Sequence, residues 1–292
     1  MNMGKHHSYN FFIFLLLVLL APLDLSGVPQ DSTIKSKETI PLFKRIRLWG
    51  EFYDESVITQ KNDNNLISFS HVRQGFRLPL SSKFSVESYL LLRYGKDLHR
   101  DFWNNRFESG LGLRIRFSYK IFLAFYLENI WGTYFKIPAE YPQPAKKSYN
   151  DFRTGLIFWY GWDKYLIPDP LISFPFNTFG EIYSDISYYR KEHNNTVGYF
   201  HIRGGLRLFR IWKSTLDIYG IAYVIKDVNK DFWNNKTEIG PGIWFKPVAD
   251  LELKIFIEWL QGNYFGIEGR DPNPHPQKYR DRRMGILLWI GW

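Results

Sequence analysis

The 292-residue sequence predicts an all-β fold: a closed, transmembrane, antiparallel β-barrel of about twelve strands, built from two copies of a six-stranded unit. Three observations predict it. An ungapped internal duplication runs at an offset of 130 residues. Within each copy, apolar and polar residues alternate with a period of two, the period of a strand and not of a helix. The connections alternate between long polar loops and short turns, as in barrels that present loops at one membrane surface and turns at the other.

Taken in order, the chain opens with Lys5, His6 and His7, then an apolar run FFIFLLLVLLA over residues 11–21, then Ser26 and Gly27. That is a secretory leader, expected over 1–27 with cleavage before Val28. The run is too short for a spanning helix, which needs about 20 apolar residues. No later stretch is longer, so any membrane crossing falls to strands closed on themselves. Residues 28–43 are expected as a periplasmic N-terminal segment. The first half-barrel follows over 44–162, with strands near 44–54, 65–78, 83–95, 104–117, 120–135 and 149–162. A proline-bearing linker, 163–177, leads to the second half-barrel over 178–292, whose strands lie 130 residues further on.

The duplication is plain in the residues themselves. DFWNN occurs at 101–105 and 231–235, HVRQGFRL at 71–78 matches HIRGGLRL at 201–208, and YNDFRTGLIFWYGW at 149–162 matches YRDRRMGILLWIGW at 279–292. Comparing 48–162 with 178–292 gives 38 identities in 115 pairs, far beyond coincidence without a single gap. The alternation shows best in 106–117. There Arg106, Glu108, Gly110, Gly112, Arg114 and Arg116 share one face, and Phe107, Ser109, Leu111, Leu113, Ile115 and Phe117 the other. A soluble secreted β-sandwich also alternates, with one dry and one wet face. The charges of both signs crowding the polar face favour the barrel, with that face turned inward.

Composition narrows the function. No cysteine is present, which excludes disulfide frameworks, thiolate metal sites and cysteine nucleophiles. Eleven Trp, 19 Tyr and 25 Phe suit strands and membrane interfaces. The net charge of +9 is dispersed along alternating faces and not gathered into a stripe, so nucleic acid is not an expected partner. An enzyme is not expected either. His71 and His201 share the inward parity, whereas Ser68 and Ser70 point the other way, and of Asp97, His99 and Asp101 at the rim the histidine is not reproduced in the second copy, where Asn229 stands opposite it. No cofactor or metal site is expected, since His99, His193 and His275 lack ligand spacing.

The inward parity yields a lumen. Its duplicated members are Glu51/Glu181, Arg73/Arg203, Arg77/Arg207, Glu108/Glu238, Glu128/Glu258, Asp151/Asp281 and Arg153/Arg283, and Arg114 and Arg116 are kept in the first copy only, facing Trp244 and Lys246 in the second. Two roles stay open for these residues. Arg–carboxylate pairs knit a narrow barrel shut; rings of charge also make a polar track for anionic or hydroxyl-rich solutes. Trp103 and Trp233 in the DFWNN segments are expected at the external pore mouth, as interface aromatics or as stacking surfaces for sugar rings.

The stretches GEIYSDISYYR, HIRGGLRLF, KDFWNN with E-x-G-P-G-I, and YRDRRMGILLWIGW resemble the C-terminal outer-membrane barrel of NfrA-type bacteriophage-adsorption and exopolysaccharide-secretion proteins. Asp231 to Asn235, Glu238, Gly240, Gly242, Tyr279, Asp281, Arg283 and Gly285 carry the resemblance, as do their first-copy partners. The chain departs from such proteins in lacking their periplasmic helical-repeat region. The resemblance implies passage of a poly- or oligosaccharide through the outer membrane of a Gram-negative bacterium, with a separate periplasmic export protein as a partner, or reception at the cell surface by a plugged barrel acting as adhesin or phage receptor. The terminal aromatic strand ending at Trp292 resembles the signal read by the barrel-assembly machinery, and membrane lipid is the expected surround.

Overall fold

The computed structural model describes residues 45–62, 64–98, 102–118, 121–135, 144, 146–163, 178–191, 194–211, 214–229, 234–248, 251–265 and 277–292. The expected leader and N-terminal segment, most of the linker, Trp233, His99, Asp101, His193 and His275 lie outside them.

Twelve antiparallel strands form one closed barrel. The first copy supplies β1 (Arg47–Thr59), β2 (Asn65–Pro79), β3 (Phe84–Asp97), β4 (Arg106–Ser118), β5 (Phe122–Tyr134) and β6 (Ser148–Asp163). The second supplies β7 (Thr178–Tyr189), β8 (Asn195–Ile211), β9 (Ser214–Asp227), β10 (Lys236–Lys246), β11 (Glu252–Tyr264) and β12 (Lys278–Gly291). Each strand pairs with its sequence neighbours, and β1 pairs with β12 to complete the ring. Closure gives every strand two partners, so no edge is left with unpaired backbone groups. It also removes the sandwich alternative, which needs two separate sheets.

The closing seam repeats an internal one. Across β1 and β12, Glu51 faces Gly291 and Thr59 faces Arg283. Across β7 and β6, Glu181 faces Gly161 and Tyr189 faces Arg153. Each residue is its counterpart shifted by 130, so the two halves join at both seams in one register.

One boundary expectation is corrected. The long loop expected at 55–64 is five residues, 60–64, because β1 continues through Glu55, Val57 and Thr59, which pair with both β2 and β12. The same holds for the second copy, where β7 runs to Tyr189. These tight loops close on Asn64 and Asn194, both left-handed at φ 58° and 57°, a conformation asparagine tolerates.

The faces sort as a membrane barrel requires. Leu48, Phe76, Leu90, Leu111, Leu113, Phe125 and Trp131 in the first half lie exposed on the outer face, as do Ile202, Leu206, Ile239, Trp259 and Ile286 in the second. The buried residues are the charged ones: Glu87, Glu108, Glu128, Asp217, Glu238 and Glu258 are all at most 2% exposed. A water-soluble fold sorts its residues the opposite way. Small aromatic clusters share the interior, with Trp49, Tyr89, Leu91 and Ile130 in one half, and Phe179, Tyr219, Ile221, Trp244, Phe256 and Leu260 in the other.

Candidate functional site: the charged lumen

Every expected lumenal residue turns inward. In the first half the charges gather around three acids. Glu87 receives Arg77 Nε at 2.6 Å and Arg114 Nε at 2.5 Å, with Arg116 at 3.7 Å. Glu128 receives Arg93 at 2.9 Å, Arg73 at 3.3 Å and the Tyr89 hydroxyl at 3.0 Å. Glu108 accepts from Arg153 at 2.5 Å and from the Tyr149 hydroxyl at 2.5 Å, while Arg153 Nε donates to Asp151 at 2.7 Å. Arg73 also reaches Glu51 on β1 at 2.6 Å. It thus ties β1 to β5 across three intervening strands, a reach possible only inside a narrow tube.

The second half keeps the acids and varies the donors. Glu258 receives Arg203 at 3.3 Å and the Tyr219 hydroxyl at 3.0 Å, as Glu128 receives Arg73 and Tyr89. Where Arg93 served Glu128, the Tyr223 hydroxyl now donates to Glu258 at 3.2 Å. Where Arg114 served Glu87, Trp244 Nε1 now donates to Asp217 at 2.7 Å, beside Arg207 at 3.1 Å. Glu238 keeps Arg283 at 2.5 Å and Tyr279 at 2.6 Å, and Arg283 keeps Asp281 at 2.8 Å. Arg203 keeps Glu181 at 2.6 Å.

The glycines of the E-x-G-x-G motif serve this network. A Cβ on Gly112 or Gly242 would stand 2.3 or 2.4 Å from the ring of Tyr89 or Tyr219. The missing side chain lets each tyrosine lie across the neighbouring strand and reach Glu128 or Glu258.

Between these clusters stands a second duplicated group. Tyr53 stacks on His71 with centroids 5.3 Å apart, and Tyr183 on His201 at 5.5 Å. His201 lies 3.3 Å from Glu181 and 3.2 Å from the Tyr199 hydroxyl. The nearby serines are on the outer face, where Ser70 hydrogen-bonds Asp54 and Ser56 donates to Ser68 at 2.9 Å. No serine–histidine pair forms there. Among the described residues no cluster of His, Asp and Glu has the form of a metal site.

At the rim of the longer loops, the twin asparagines of DFWNN have a structural task. Asn104 Nδ2 donates to Asp97 at 2.7 Å, Asn105 Nδ2 at 3.2 Å, and the Asp97 amide donates to Asn105 Oδ1 at 3.3 Å. Asn234, Asn235 and Asp227 repeat the arrangement. Trp103 is exposed at this rim.

Two duplicated features escaped the sequence reading. The first is Lys61 and Lys191, one in each five-residue loop. The Lys61 amide donates to Asp281 at 3.0 Å, and its ammonium lies 3.7 Å from the centroid of the Tyr279 ring and hydrogen-bonds the Tyr264 hydroxyl. The Lys191 amide donates to Asp151 at 2.9 Å, and its ammonium lies 3.4 Å from the centroid of the Tyr149 ring. Each lysine thus locks one seam. Burial lowers the Lys61 ammonium to about 8, with the nearby Lys236 cation adding to the shift. The identity of the two lysines at offset 130 was the available signal; the tyrosines they meet lie on strands that only closure brings near. The second feature is the pair Trp159 and Trp289.

No family profile matches the chain, and no curated protein does. Among solved structures, the chain is similar to the β domain of the Bordetella autotransporter BrkA, at 10% identity over 84% of this chain and 99% of that one, with a TM-score of 0.39. It is similar to an outer-membrane channel from Pseudomonas putida F1 at 8% identity, 83% and 95% coverage and a TM-score of 0.37. The KdgM porin, solved in complex with disordered oligogalacturonate, aligns at 9% identity, 82% and 98% coverage and a TM-score of 0.36.

Proposed function

We propose that the protein is an outer-membrane barrel of a Gram-negative bacterium whose polar lumen passes a poly- or oligosaccharide. The observation that carries this reading is the inversion of its faces: a predominantly apolar exterior around an interior of hydrogen-bonded charge. An exterior of that kind is stable only in lipid, and a twelve-stranded wall of this polarity is built in the outer membrane. The long-loop rim with Trp103 then faces outward, and the start of β1 and the end of β12 face the periplasm. The resemblance to NfrA-type barrels supports a polysaccharide cargo, delivered by a separate periplasmic partner.

Within this reading, the acids and their donors are both wall ties and track. Arg77 and Arg116, the partly exposed members of the Glu87 cluster at 29% and 25% of their side chains, offer positive charge to the passage. Purified protein in a planar bilayer tests the proposal. Discrete conductance steps are expected, and Arg116→Gln is expected to move the reversal potential in a salt gradient toward cations. Absence of conductance in every condition rejects it.

A second reading is favoured by one observation, the nearly complete burial of Glu87, Glu108, Glu128 and Glu258. A lumen packed that tightly suits a closed barrel that presents its loops as an adhesin or phage receptor. It predicts no conductance, and loss of surface binding when loops 138–147 and 268–276 are deleted.

A further inference from the structure

The inward face of β6 carries Asp151, Arg153, Gly155, Ile157 and Trp159, all five sharing one parity in an unbroken register with β5 and β7. The first four are buried, whereas Trp159 is 43% exposed. Its duplicate on β12, Trp289, shares the parity of Asp281 and Arg283 and is 46% exposed. Inward residues with that exposure face open space inside the tube, at the short-turn end. The inward side of Trp159 is shown independently by its indole nitrogen, 3.5 Å from Glu181, which is itself tied to Arg203 inside the barrel.

Both rings owe their posture to a glycine two residues on. A Cβ on Gly161 would stand 2.6 Å from the Trp159 ring, and one on Gly291 would stand 2.9 Å from the Trp289 ring. The glycines leave the space that each indole occupies along its own strand. Each ring faces, on the adjoining strand, a tyrosine and a carboxylate: Trp159 and Gly161 oppose Tyr183 and Glu181, and Trp289 and Gly291 oppose Tyr53 and Glu51. A flat exposed aromatic beside a hydrogen-bond acceptor matches the apolar C–H face and the hydroxyl rim of a pyranose. Each carboxylate is itself paired with an arginine, Glu181 with Arg203 and Glu51 with Arg73, both at 2.6 Å, so the charges beside each ring offset one another and suit an uncharged sugar.

From this arrangement we propose that Trp159 and Trp289 are paired stacking platforms that bind a neutral hexopyranose chain at the short-turn mouth of the lumen. This rests on the saccharide-passage reading and names its substrate class and point of entry.

The test uses the full chain in planar bilayers with maltohexaose, and hexagalacturonate as the anionic comparison. Detergent-solubilised protein is examined in parallel by saturation-transfer NMR with the same two sugars. Trp159→Leu/Trp289→Leu and the ring-preserving Trp159→Phe/Trp289→Phe are compared with the parent, and heat-modifiable gel mobility verifies that each is folded. Maltohexaose is expected to block the current, with an affinity that falls about tenfold in the Leu pair and stays within about threefold in the Phe pair. Conductance with a block unchanged by the Leu pair overturns the platforms while leaving passage standing. Equal or stronger binding of hexagalacturonate overturns the neutral-sugar assignment. No conductance, but NMR binding that is lost in the Leu pair, rejects passage and leaves the platforms as a binding site. No binding by either measurement rejects the inference.

Discussion

At the scale of single residues, the two halves hold their acids fixed and exchange the groups that satisfy them. Arg93 and Tyr223 donate to equivalent glutamates, and Arg114 and Trp244 to Glu87 and Asp217. A buried carboxylate demands donors but not cations, so a hydroxyl or an indole N–H serves in their place. Replacing Arg114 by Ala leaves Glu87 one donor short and is expected to cost about 3–5 kcal/mol. The transplant Trp49→Phe/Arg114→Trp, which copies Phe179 and Trp244, is expected to lose much less. Urea unfolding of the barrel in lipid vesicles measures both, and equal losses would show that the second copy's solution does not transfer. A separate outcome concerns Lys61. With its ammonium lowered to about 8, the amine is neutral above that pH, where ordinary lysines stay charged up to about 10.4. Acylation of Lys61 by an amine-reactive ester, followed by mass spectrometry, should therefore reach half its plateau near pH 8. A midpoint near that of ordinary lysines would contradict the buried rim setting.

At the scale of strands and loops, what the sequence reveals depends on how local the cause is. The alternation in β4 is a property of consecutive residues, so Arg106, Glu108, Arg114 and Arg116 are readable as inward without coordinates. The end of β1 is not readable in this way. Glu55 to Thr59 look like polar loop until β12 arrives as a second partner for them. Trp159 is an intermediate case. Its parity with Asp151 and Arg153 was visible, but its exposure depends on how far other side chains fill the tube. The DFWNN segments show the opposite bias: an arresting motif whose asparagines turn out to hold the base of β4 and β10 to Asp97 and Asp227. Asn105→Ala removes two hydrogen bonds at a buried site and is expected to cost about 1–2 kcal/mol, read as a lower urea midpoint, with Trp103→Ala nearly neutral. A larger effect from the tryptophan would assign the motif's importance to its ring.

At the scale of the whole molecule, the ion-pair clusters stay within their own halves: Arg73, Arg93, Arg114 and Arg153 pair with first-copy acids, and Arg203, Arg207 and Arg283 with second-copy acids. Contact between halves comes from the two seams, their lysine locks and a buried hydrogen bond between the Tyr126 hydroxyl on β5 and Ser187 on β7 at 2.6 Å. A chain cut after Asp163, with both pieces co-produced behind secretory leaders, is therefore expected to reassemble into a heat-modifiable barrel. Lys61→Ala/Lys191→Ala is expected to weaken that reassembly more than it weakens the intact protein, because continuity of the chain otherwise holds one seam. Failure of the pieces to accumulate in the membrane would show that the linker is indispensable. The duplication in the sequence made the number of strands and their order readable; the pairing of β1 with β12 follows from closure and is written in no local stretch.

The two seams share one register. The leading edge of the six-stranded unit fits its own trailing edge, which makes the contact head-to-tail and not face-to-face. Head-to-tail contacts generate a ring when the rotation per unit divides the circle and an open filament when it does not. Here two units complete the turn. A single copy of this half-barrel already carries the whole specification of a cyclic dimer, and the linker converts that dimer into one chain without requiring a new interface.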